Sequence, residues 1–372
     1  MTKALIDGHM LGTGETGNET YIRGLLDGLE ALGQCEAVAV SGPIVDVGAH
    51  EQVVLPYRSN WARLITDLPR AAASAGADVI HSTYAMPPST PLARVVTVHD
   101  VSFLRHPEWF TRRHRAVLNV GVRHSARLAQ RVIVPSTFTR DEVHDLLGVP
   151  GERIVVTPEA ADESFRPLDG STTEAALDRL QIPRPYVLAV GNLQPRKNLM
   201  RLLRAWRLLV RSGQEAGCRL VLVGGNHGMR EPVEAEVRSL GLGGSVHLTG
   251  YLPHADLPAL YAAARAFVFP TLYEGFGLPL LEAMACGTPV ACSRVASLPE
   301  VAGDAAAYFD PLDVDDIAAA LGALLGGDGL LDALSARGLR RAAEFSWRAC
   351  ATATVRAYED AARMRVGRRG RA

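Results

Sequence analysis

The feature that most constrains the fold is an alternation of short apolar runs with stretches of helical period, and this alternation occurs twice along the chain. Such a pattern is typical of βα units stacked around a parallel sheet. A chain of 372 residues has room for two such domains, each with its own core. We therefore predict an α/β protein with two doubly wound, Rossmann-like domains.

The predicted elements fall into two series. In the first half we predict strands at 3–7, 36–41, 52–55, 78–81, 94–98, 131–135 and 153–157. In the second half we predict strands at 186–190, 219–223, 245–249, 266–269, 289–292 and 306–309. The main predicted helices are 18–32, 197–212, 278–286, 313–325 and one from 347 to about 363, beyond which order is not expected.

A segment with several prolines and glycines separates the two halves and predicts the domain boundary. The first predicted domain is 1–166, a linker follows at 167–185, and the second domain is 186–346. The remainder, 347–372, is predicted to be a C-terminal helix that packs back on the first domain and ends in a basic tail.

The charge balance and the cysteines limit the classes of function. The 39 Lys+Arg residues nearly balance the 40 Asp+Glu residues, for a net charge of −1, which argues against a nucleic-acid-binding protein. Only two of these cations are lysine, Lys3 and Lys197. The five cysteines are odd in number and lack a C-x-x-C pair, which predicts reduced thiols and no zinc site. No apolar run is long enough for a membrane span, so we expect a cytoplasmic protein.

A glycine-rich loop follows the first predicted strand. Gly12, Gly14 and Gly17 match the G-x-G-x-x-G spacing of a dinucleotide-binding fingerprint. Two features argue against a dinucleotide site: four residues separate Asp7 from Gly12, and no acidic residue follows the second strand where a ribose would need it. The weaker prediction is an anion-binding loop at a helix N-terminus, with a flexible glycine turn as the alternative.

A basic pair stands near the carboxyl end of a strand in the second half. The predicted strand 186–190 leads into Gly191 and Asn192, and Arg196 and Lys197 follow before the next helix. Ligands of open α/β sheets bind beyond the carboxyl ends of the strands. A guanidinium fork and an ammonium point charge at that position can bind one cluster of phosphate oxygens.

The strongest candidate segment follows the predicted strand 266–269 and combines two carboxylates with a glycine-rich loop. We expect a helix to start just before Pro279, which suits a first helical turn, and to end at Gly287. Glu274 then lies in the loop before this helix, and Glu282 lies in its second turn. The backbone between them that is open to a ligand comprises Gly275, Phe276, Gly277 and Leu278.

The two carboxylates and the amides between them suit different parts of one ligand. Fixed carboxylates bind sugar hydroxyls well, and amides at a helix N-terminus bind a diphosphate well. The segment therefore predicts a site that holds a sugar nucleotide by both ends. For Glu282 the alternative is a solvated carboxylate on the helix surface, although its neighbours in sequence are apolar.

Two further features lie in the first half. His99 and Asp100 follow the predicted strand 94–98, where a histidine can hydrogen-bond a sugar or act as acid or base, although a lone histidine is more often structural. Residues 105–131 contain seven arginines and three histidines against the single acid Glu108. Such a helix face can contact anionic lipid or a phosphate-bearing acceptor, and a solvated basic face is the equally weighted alternative.

Taken together, these residues resemble the retaining glycosyltransferases of family 4, which have the GT-B architecture of two facing Rossmann-like domains with a cleft between them. The resemblance covers nearly the whole chain. It is carried by His99-Asp100, the stretch 131–136, the segment from Gly191 to Arg196-Lys197-Asn198, Gly250-Tyr251, and the pair Glu274 and Glu282 with seven residues between them.

The resemblance implies that Arg196, Lys197, Glu274 and His99 are catalytic. The basic pair would bind the donor diphosphate and stabilise the charge that develops on it, while Glu274 would hold the donor sugar. His99 would contact the sugar or the reaction centre. Loss of one such contact to a developing charge costs about 3 kcal/mol, or about a hundredfold in rate.

The resemblance also implies residues for donor and acceptor binding. Glu282 would accept hydrogen bonds from the ribose, and Tyr251 and Leu252 would lie near the base. The implied donor-binding set is Gly17, Gly191, Asn192, Tyr251, Leu252, Gly275, Phe276, Gly277, Leu278 and Glu282. The implied acceptor-side set is Asp100, Asn18 and Glu19. Glu19 departs from the family pattern because a cation often stands there, which weakens the expected contacts from that helix.

The implied reaction transfers a hexose, above all mannose or glucose, to a glycan, lipid-linked or small-molecule acceptor. The sequence does not choose among GDP-mannose, UDP-glucose and UDP-N-acetylglucosamine as the donor. The reaction would retain configuration and use no metal or other cofactor beyond the nucleotide sugar as co-substrate. Since no second carboxylate nucleophile stands out in the first domain, we favour front-face attack. The enzyme would be cytoplasmic, with a peripheral contact to the anionic inner face of the membrane as a further expectation.

Three alternatives remain at this level. An NAD-dependent oxidoreductase rests only on the spacing of Gly12, Gly14 and Gly17. A non-catalytic GT-B subunit that binds a nucleotide sugar would more naturally have lost Lys197 or Glu274. A GT-B sugar phosphorylase or epimerase differs from a transferase in what accepts the sugar.

Overall fold

The computed structural model describes residues 1–13, 16–42, 44–55 and 59–369. These residues form two compact α/β units: the first comprises Met1–Ala160 and the chain from Ser346 onward, and the second comprises Ala161–Phe345. Gly14 of the glycine-rich loop and the last three residues of the basic tail lie outside the described residues.

The first unit contains a parallel sheet in the order β3-β2-β1-β4-β5-β6-β7. Its strands are β1 (Thr2–Asp7), β2 (Cys35–Ser41), β3 (Glu51–Val54), β4 (Val79–Thr83), β5 (Ala93–Thr97), β6 (Arg131–Val134) and β7 (Ile154–Val156). The order reverses between β1 and β4, which is the switch point of a doubly wound sheet.

The second unit repeats this plan with the order β10-β9-β8-β11-β12-β13, again fully parallel. Its strands are β8 (Tyr186–Val190), β9 (Arg219–Val223), β10 (Val246–Gly250), β11 (Ala266–Phe269), β12 (Val290–Ser293) and β13 (Ala306–Phe309). Here the order reverses between β8 and β11. Each predicted strand is present among the described residues, and the predicted fold class of two doubly wound α/β units is confirmed.

The helices of the first unit are α1 (Thr16–Leu32), α2 (Asn60–Ala62), α3 (Leu68–Ser74), α4 (Ser102–Arg105), α5 (Arg112–Leu128) and α6 (Thr137–Leu147). Those of the second unit are α7 (Gly170–Arg179), α8 (Leu199–Ser212), α9 (Arg230–Ser239), α10 (Leu257–Ala263), α11 (Leu278–Ala285), α12 (Leu298–Ala302), α13 (Val314–Leu325) and α14 (Asp328–Ala342). The last helix, α15 (Trp347–Arg369), belongs to the first unit. A π-helical turn at Arg63–Asp67 joins α2 to α3, and short 3-10 turns lie at Pro107–Trp109, Gly151–Arg153, Pro195–Lys197 and His254–Asp256.

Three local differences from the sequence-based expectation have physical causes. The helix predicted from 197 begins at Leu199, because Asn198 has a left-handed conformation (φ 57°) that ends the preceding 3-10 turn. The segment predicted as a linker contains α7, whose Leu177 is buried in the core of the second unit. The C-terminal helix continues past 363 to Arg369, and Arg365 Nη1 within it donates to the carbonyl of Leu92 at 2.8 Å.

The C-terminal helix packs on α1 at two glycines of α1, Gly24 and Gly28. A Cβ atom on Gly24 would lie 2.0 Å from Trp347 Cε2, and one on Gly28 would lie 2.4 Å from the carbonyl oxygen of Trp347. Any larger residue at Gly24 or Gly28 would therefore push α15 away from α1. The beginning of α15 is held close to α1 in this way, although the two helices are distant in sequence.

Candidate active site

Two loops meet at the switch point of the second sheet, because β8 and β11 are neighbours there. The loop after β8 carries Arg196 and Lys197, and the loop after β11 carries Glu274. Arg196 Nη1 lies 2.6 Å from Glu274 Oε2, and Lys197 Nζ lies 2.6 Å from Glu274 Oε1. Three of the four residues predicted as catalytic are thus in direct contact.

The carboxylate of Glu274 is held ionised by this arrangement. Burial raises its pKa, but the charges of Arg196 and Lys197 outweigh burial and lower the pKa from 4.5 to about 2. The Thr271 hydroxyl donates a further hydrogen bond to Glu274 Oε1 at 2.9 Å. Both carboxylate oxygens are therefore hydrogen-bonded.

Lys197 is itself buried, which is unusual for a lysine. Its ammonium lies 4.6 Å from the ring centroid of Phe269, within the range of a cation–π contact. A Cβ atom on Gly191 would lie 3.0 Å from Lys197 Cε, and Gly191 has φ 148°. Gly191 thus leaves room for the lysine stem to reach Glu274. The sequence predicted Gly191 only as a donor-binding residue and did not indicate this packing role.

The two loops are joined by a residue that the sequence analysis did not assign to the site. Asn198 is buried, and its Nδ2 donates to the carbonyls of Pro270 at 3.0 Å and Pro311 at 2.7 Å. The Leu272 amide donates to the carbonyl of Arg196 at 2.8 Å. These bonds fix the register of the basic pair against Glu274.

A second unassigned residue, Ser297, holds the loop that precedes α11. Its buried hydroxyl lies 3.0 Å from the carbonyl of Glu274 and 2.7 Å from that of Phe276. Gly277 has φ 114°, and a Cβ atom there would lie 2.8 Å from Leu298 Cδ2, so glycine is required. The helix then begins at Leu278, as predicted. The sequence offers no local signal for Ser297, because it lies on a different loop.

Glu282 lies inside the second unit, so the alternative of a solvated helix carboxylate is wrong. Glu282 is only 6% exposed, and its Oε2 accepts a hydrogen bond from the Tyr261 hydroxyl at 2.9 Å. Burial raises the pKa of Glu282 to about 7, although the Tyr261 hydrogen bond lowers it. Tyr261 lies 21 positions before Glu282, and no pattern in the sequence links the two residues.

The other predicted donor-binding residues of this unit lie at the same edge of the sheet. Asn192 Oδ1 accepts from the Gly225 amide at 3.2 Å and ties the loop after β8 to the loop after β9. Tyr251 and Leu252 follow β10. The strands β9 and β8 lie between β10 and β11 in the sheet. Tyr251 is exposed, whereas Leu252 packs on the apolar cluster beneath.

His99 belongs to the first unit, where it forms a pair with Glu159. Its Nδ1 lies 2.9 Å from Glu159 Oε1, and both side chains are largely buried. Because the carboxylate accepts, the proton lies on Nδ1, and Nε2 has no partner in the described part of the chain. The ring of Tyr21 contacts the imidazole edge at a centroid distance of 4.6 Å.

The predicted acceptor-side residues shape their own loops. Asp100 Oδ1 accepts from the Ser102 amide at 2.9 Å and so starts α4. Glu19 Oε1 accepts from the Gly12 amide at 2.9 Å and pairs with Arg23 one turn later, also at 2.9 Å. The acid that departs from the family pattern therefore holds the glycine-rich loop and is neutralised within α1. Gly17 and Asn18 lie in the first turn of α1 beside Glu19.

Five of the seven arginines in the basic segment 105–131 fall into two groups. Arg105 pairs with the buried Glu142 at 2.6 Å, and Arg131 pairs with Asp360 at 3.0 Å. The exposed start of α5 carries a second group, which forms no ion pair with the other described residues: Arg112, Arg113 and Arg115. Val117 and Val120 on the same helix are 54% and 66% exposed. No single helix in the described ranges is long and apolar enough to cross a membrane, and one bent pair passes by length and composition alone.

Comparison with known proteins assigns most of the chain to two families of glycosyltransferase. Residues 175–341 match the family model "Glycosyl transferases group 1", and residues 16–165 match "Glycosyltransferase Family 4". The chain is 40% identical over 268 residues to the O-antigen chain mannosyltransferase B of Escherichia coli, covering 71% of this chain and 70% of that relative.

A second relative and a solved structure extend the comparison. The MMP alpha-(1->4)-mannosyltransferase of Mycolicibacterium hassiacum is 34% identical over 274 residues, which cover 72% of this chain and 62% of that relative. This alignment thus spans less than two thirds of the relative's length. The sucrose-phosphate synthase of Thermosynechococcus elongatus has a TM-score of 0.78 at 21% identity, covering 96% of this chain and 98% of the other, which shows a shared fold.

Proposed function

Because this chain belongs to the family 4 glycosyltransferases and has their GT-B fold, we propose that it transfers mannose from GDP-mannose to a growing polysaccharide chain. It is a hexosyltransferase that uses a nucleotide-sugar donor. Both relatives described above carry the name mannosyltransferase, which favours mannose over glucose. GDP follows from mannose, since mannose is ordinarily activated as its GDP ester.

The observation that supports the proposed donor site is the pairing of two cations with one carboxylate at a switch point. Arg196, Lys197 and Glu274 together carry one net positive charge at the carboxyl edge of the second sheet. This positive charge is fixed in place before the donor binds, so little reorganisation is needed to stabilise a leaving diphosphate. We propose that the cations bind the diphosphate and that Glu274 orients them and the sugar.

We propose front-face transfer with retention and without a metal. The bond from sugar C1 to the phosphate oxygen breaks, the acceptor oxygen bonds to C1 on the same face, and the acceptor proton passes to the departing phosphate. The structure supports this route because both oxygens of Glu274 are hydrogen-bonded by Arg196, Lys197 and Thr271, which makes a nucleophilic carboxylate there unfavourable. The two cations supply the positive charge that a metal otherwise provides.

We also propose that α5 contacts the anionic cytoplasmic face of a membrane, where a lipid-linked acceptor would be presented. Arg112, Arg113 and Arg115 have no carboxylate partner among the described residues, and they lie next to the exposed Val117 and Val120. A helix with cations beside exposed apolar side chains is suited to the interface of a bilayer.

A thermal-shift panel of GDP, UDP and ADP tests the donor. At a hundred times its dissociation constant, the cognate nucleotide should stabilise the protein by about 2.7 kcal/mol. Lys197→Ala should lose this shift, whereas Arg204→Ala, which removes an exposed cation from α8, should keep it. A shift with UDP instead of GDP would contradict the proposed base. An unchanged shift in Lys197→Ala would contradict the phosphate role of the site.

The stereochemistry of transfer needs a separate measurement, the anomeric configuration of the product. A product anomer inverted relative to the donor would contradict retention.

A further inference from the structure

The side chain of Tyr261 on α10 is fixed on both sides by aromatic rings. It is fully buried, and its ring packs edge-on against Phe165 and Phe267 at centroid distances of 5.7 and 5.3 Å. From this position its hydroxyl donates to Glu282 Oε2 at 2.9 Å. The ring has no room to turn away, so the hydroxyl is a fixed donor to that carboxylate.

The backbone around Tyr261 is anchored from two strands of the sheet. The Thr288 hydroxyl, just before β12, donates to the carbonyl of Tyr261 at 2.6 Å. The Tyr186 hydroxyl at the start of β8 donates to the neighbouring carbonyl of Leu260, also at 2.6 Å. Movement of Tyr261 relative to the sheet would break both hydrogen bonds.

The hydrogen bond from Tyr261 engages only one oxygen of Glu282. In the part of the chain that the structure describes, Glu282 Oε1 accepts no hydrogen bond. A carboxylate held by one oxygen presents the other in a defined direction, and that oxygen is able to accept from a ligand hydroxyl.

The charge on Glu282 depends on its surroundings near neutral pH. Burial raises its pKa to about 7, the Tyr261 hydrogen bond lowers it, Asp162 raises it and Lys197 lowers it. Burial and the charge of this carboxylate both raise the pKa of the Cys286 thiol, just after α11. The Tyr261 hydroxyl therefore favours the ionised form, which accepts hydrogen bonds, against the effect of burial.

We propose that Tyr261 is a positioning residue for the donor: it fixes Glu282 Oε2 and favours the ionised carboxylate, so that Oε1 is available to the ribose hydroxyls. The inference rests on the proposed function, in which Glu282 binds the ribose. It adds that donor affinity depends on pH through Glu282 and that Tyr261 sets this dependence. A tyrosine with a purely structural role would not affect the pH profile.

The test measures the affinity of GDP-mannose between about pH 5.5 and about pH 9 for the wild type and for Tyr261→Phe. GDP-mannose is suitable because both of its phosphates are esterified and do not titrate in this range. We expect Tyr261→Phe to bind about fivefold more weakly at pH 7 and to approach wild-type affinity near pH 9, because loss of the hydrogen bond moves ionisation of Glu282 to higher pH. Tyr308→Phe is the control, because it removes a tyrosine hydroxyl of the same unit that donates to the carbonyl of Gly303 and takes no part in anchoring Tyr261.

The outcomes separate this inference from the proposed function. A Tyr261→Phe profile equal or parallel to that of the wild type would overturn the positioning role while leaving the donor site intact. A similar change of profile in Tyr308→Phe would also overturn it, since the effect would then not depend on the hydrogen bond to Glu282. Wild-type affinity in Glu282→Gln at every pH would instead contradict the ribose role on which the inference rests.

Discussion

Lys197 Nζ lies 2.6 Å from Glu274 Oε1 although 77 positions of the chain separate the two residues. The doubly wound topology produces this contact, because it makes β8 and β11 neighbours and brings the loops after them together. The pair is buried, so each charge depends on the other. Removal of one partner from a buried pair leaves an uncompensated charge, which is strongly destabilising.

Glu274→Gln is expected to destabilise the second unit by about 3 kcal/mol at pH 7, because Arg196 and Lys197 lose their counter-charge. The pKa of Glu274 is lowered from 4.5 to about 2 in the folded protein, so its contribution is complete above about pH 4.5 and is lost as the pH falls towards 2. Urea unfolding of both proteins across this range measures the effect. A difference in unfolding free energy that persists undiminished at pH 2 would contradict the explanation.

Glu282→Gln is expected to have the opposite effect on stability. The pKa of Glu282 is raised from 4.5 to about 7, so the folded state holds a proton that the unfolded state has lost, and stability decreases as the pH rises from about 4.5 through 7. The amide has no charge to bury, so the variant should gain up to about 3 kcal/mol over the wild type above pH 7 and little at pH 4. Thermal unfolding of both proteins at pH 4 and at pH 8 tests the sign of this difference. A variant that is less stable than the wild type at pH 8 would refute the prediction.

The strands and the start of α11 were predictable from the sequence, whereas several residues that hold the site together were not. Parallel strands are buried on both faces, so each appears as a compact apolar run. Asn198 and Ser297 were not assigned to the site, because their partners lie on other loops and only the folded chain brings them together. Thr271 was missed as well, although its partner Glu274 lies three positions further along the same loop. Lys3, which the sequence left unexplained, pairs with Glu51 on β3 at 3.3 Å.

Lys197→Ala is expected to lower kcat by about a hundredfold, because one of two cations at the leaving diphosphate is lost. If the cation pair replaces a metal, the wild type should keep its activity in EDTA, and added Mg²⁺ should not restore the variant. Transfer rates with GDP-mannose under these conditions provide the measurement, with Arg204→Ala as a matched loss of an exposed cation. Loss of wild-type activity in EDTA would show that a metal takes part.

The His99–Glu159 pair predicts a tautomer that can be observed. Glu159 accepts from Nδ1, so Nε2 should be unprotonated in the neutral ring. Glu159→Leu removes the acceptor and is expected to let the proton move to Nε2 and to lower kcat by about tenfold, whereas Glu159→Gln keeps an acceptor oxygen and should lose much less. Nitrogen-15 NMR of His99 with steady-state kinetics measures both effects. An unchanged tautomer in Glu159→Leu would mean that the glutamate does not orient the ring.

Replacement of Arg112, Arg113 and Arg115 by glutamate is expected to abolish flotation with anionic vesicles at low salt. Each cation near such a surface contributes about 1 kcal/mol, so loss of all three should weaken partition by at least about a hundredfold. The wild type should bind less at high salt, because mobile ions screen exposed charges. A variant with Arg204, Arg207 and Arg211 of α8 changed to glutamate carries the same change in net charge and should still float. Equal loss of flotation in both variants would indicate a response to net charge and would refute a contact localised to α5.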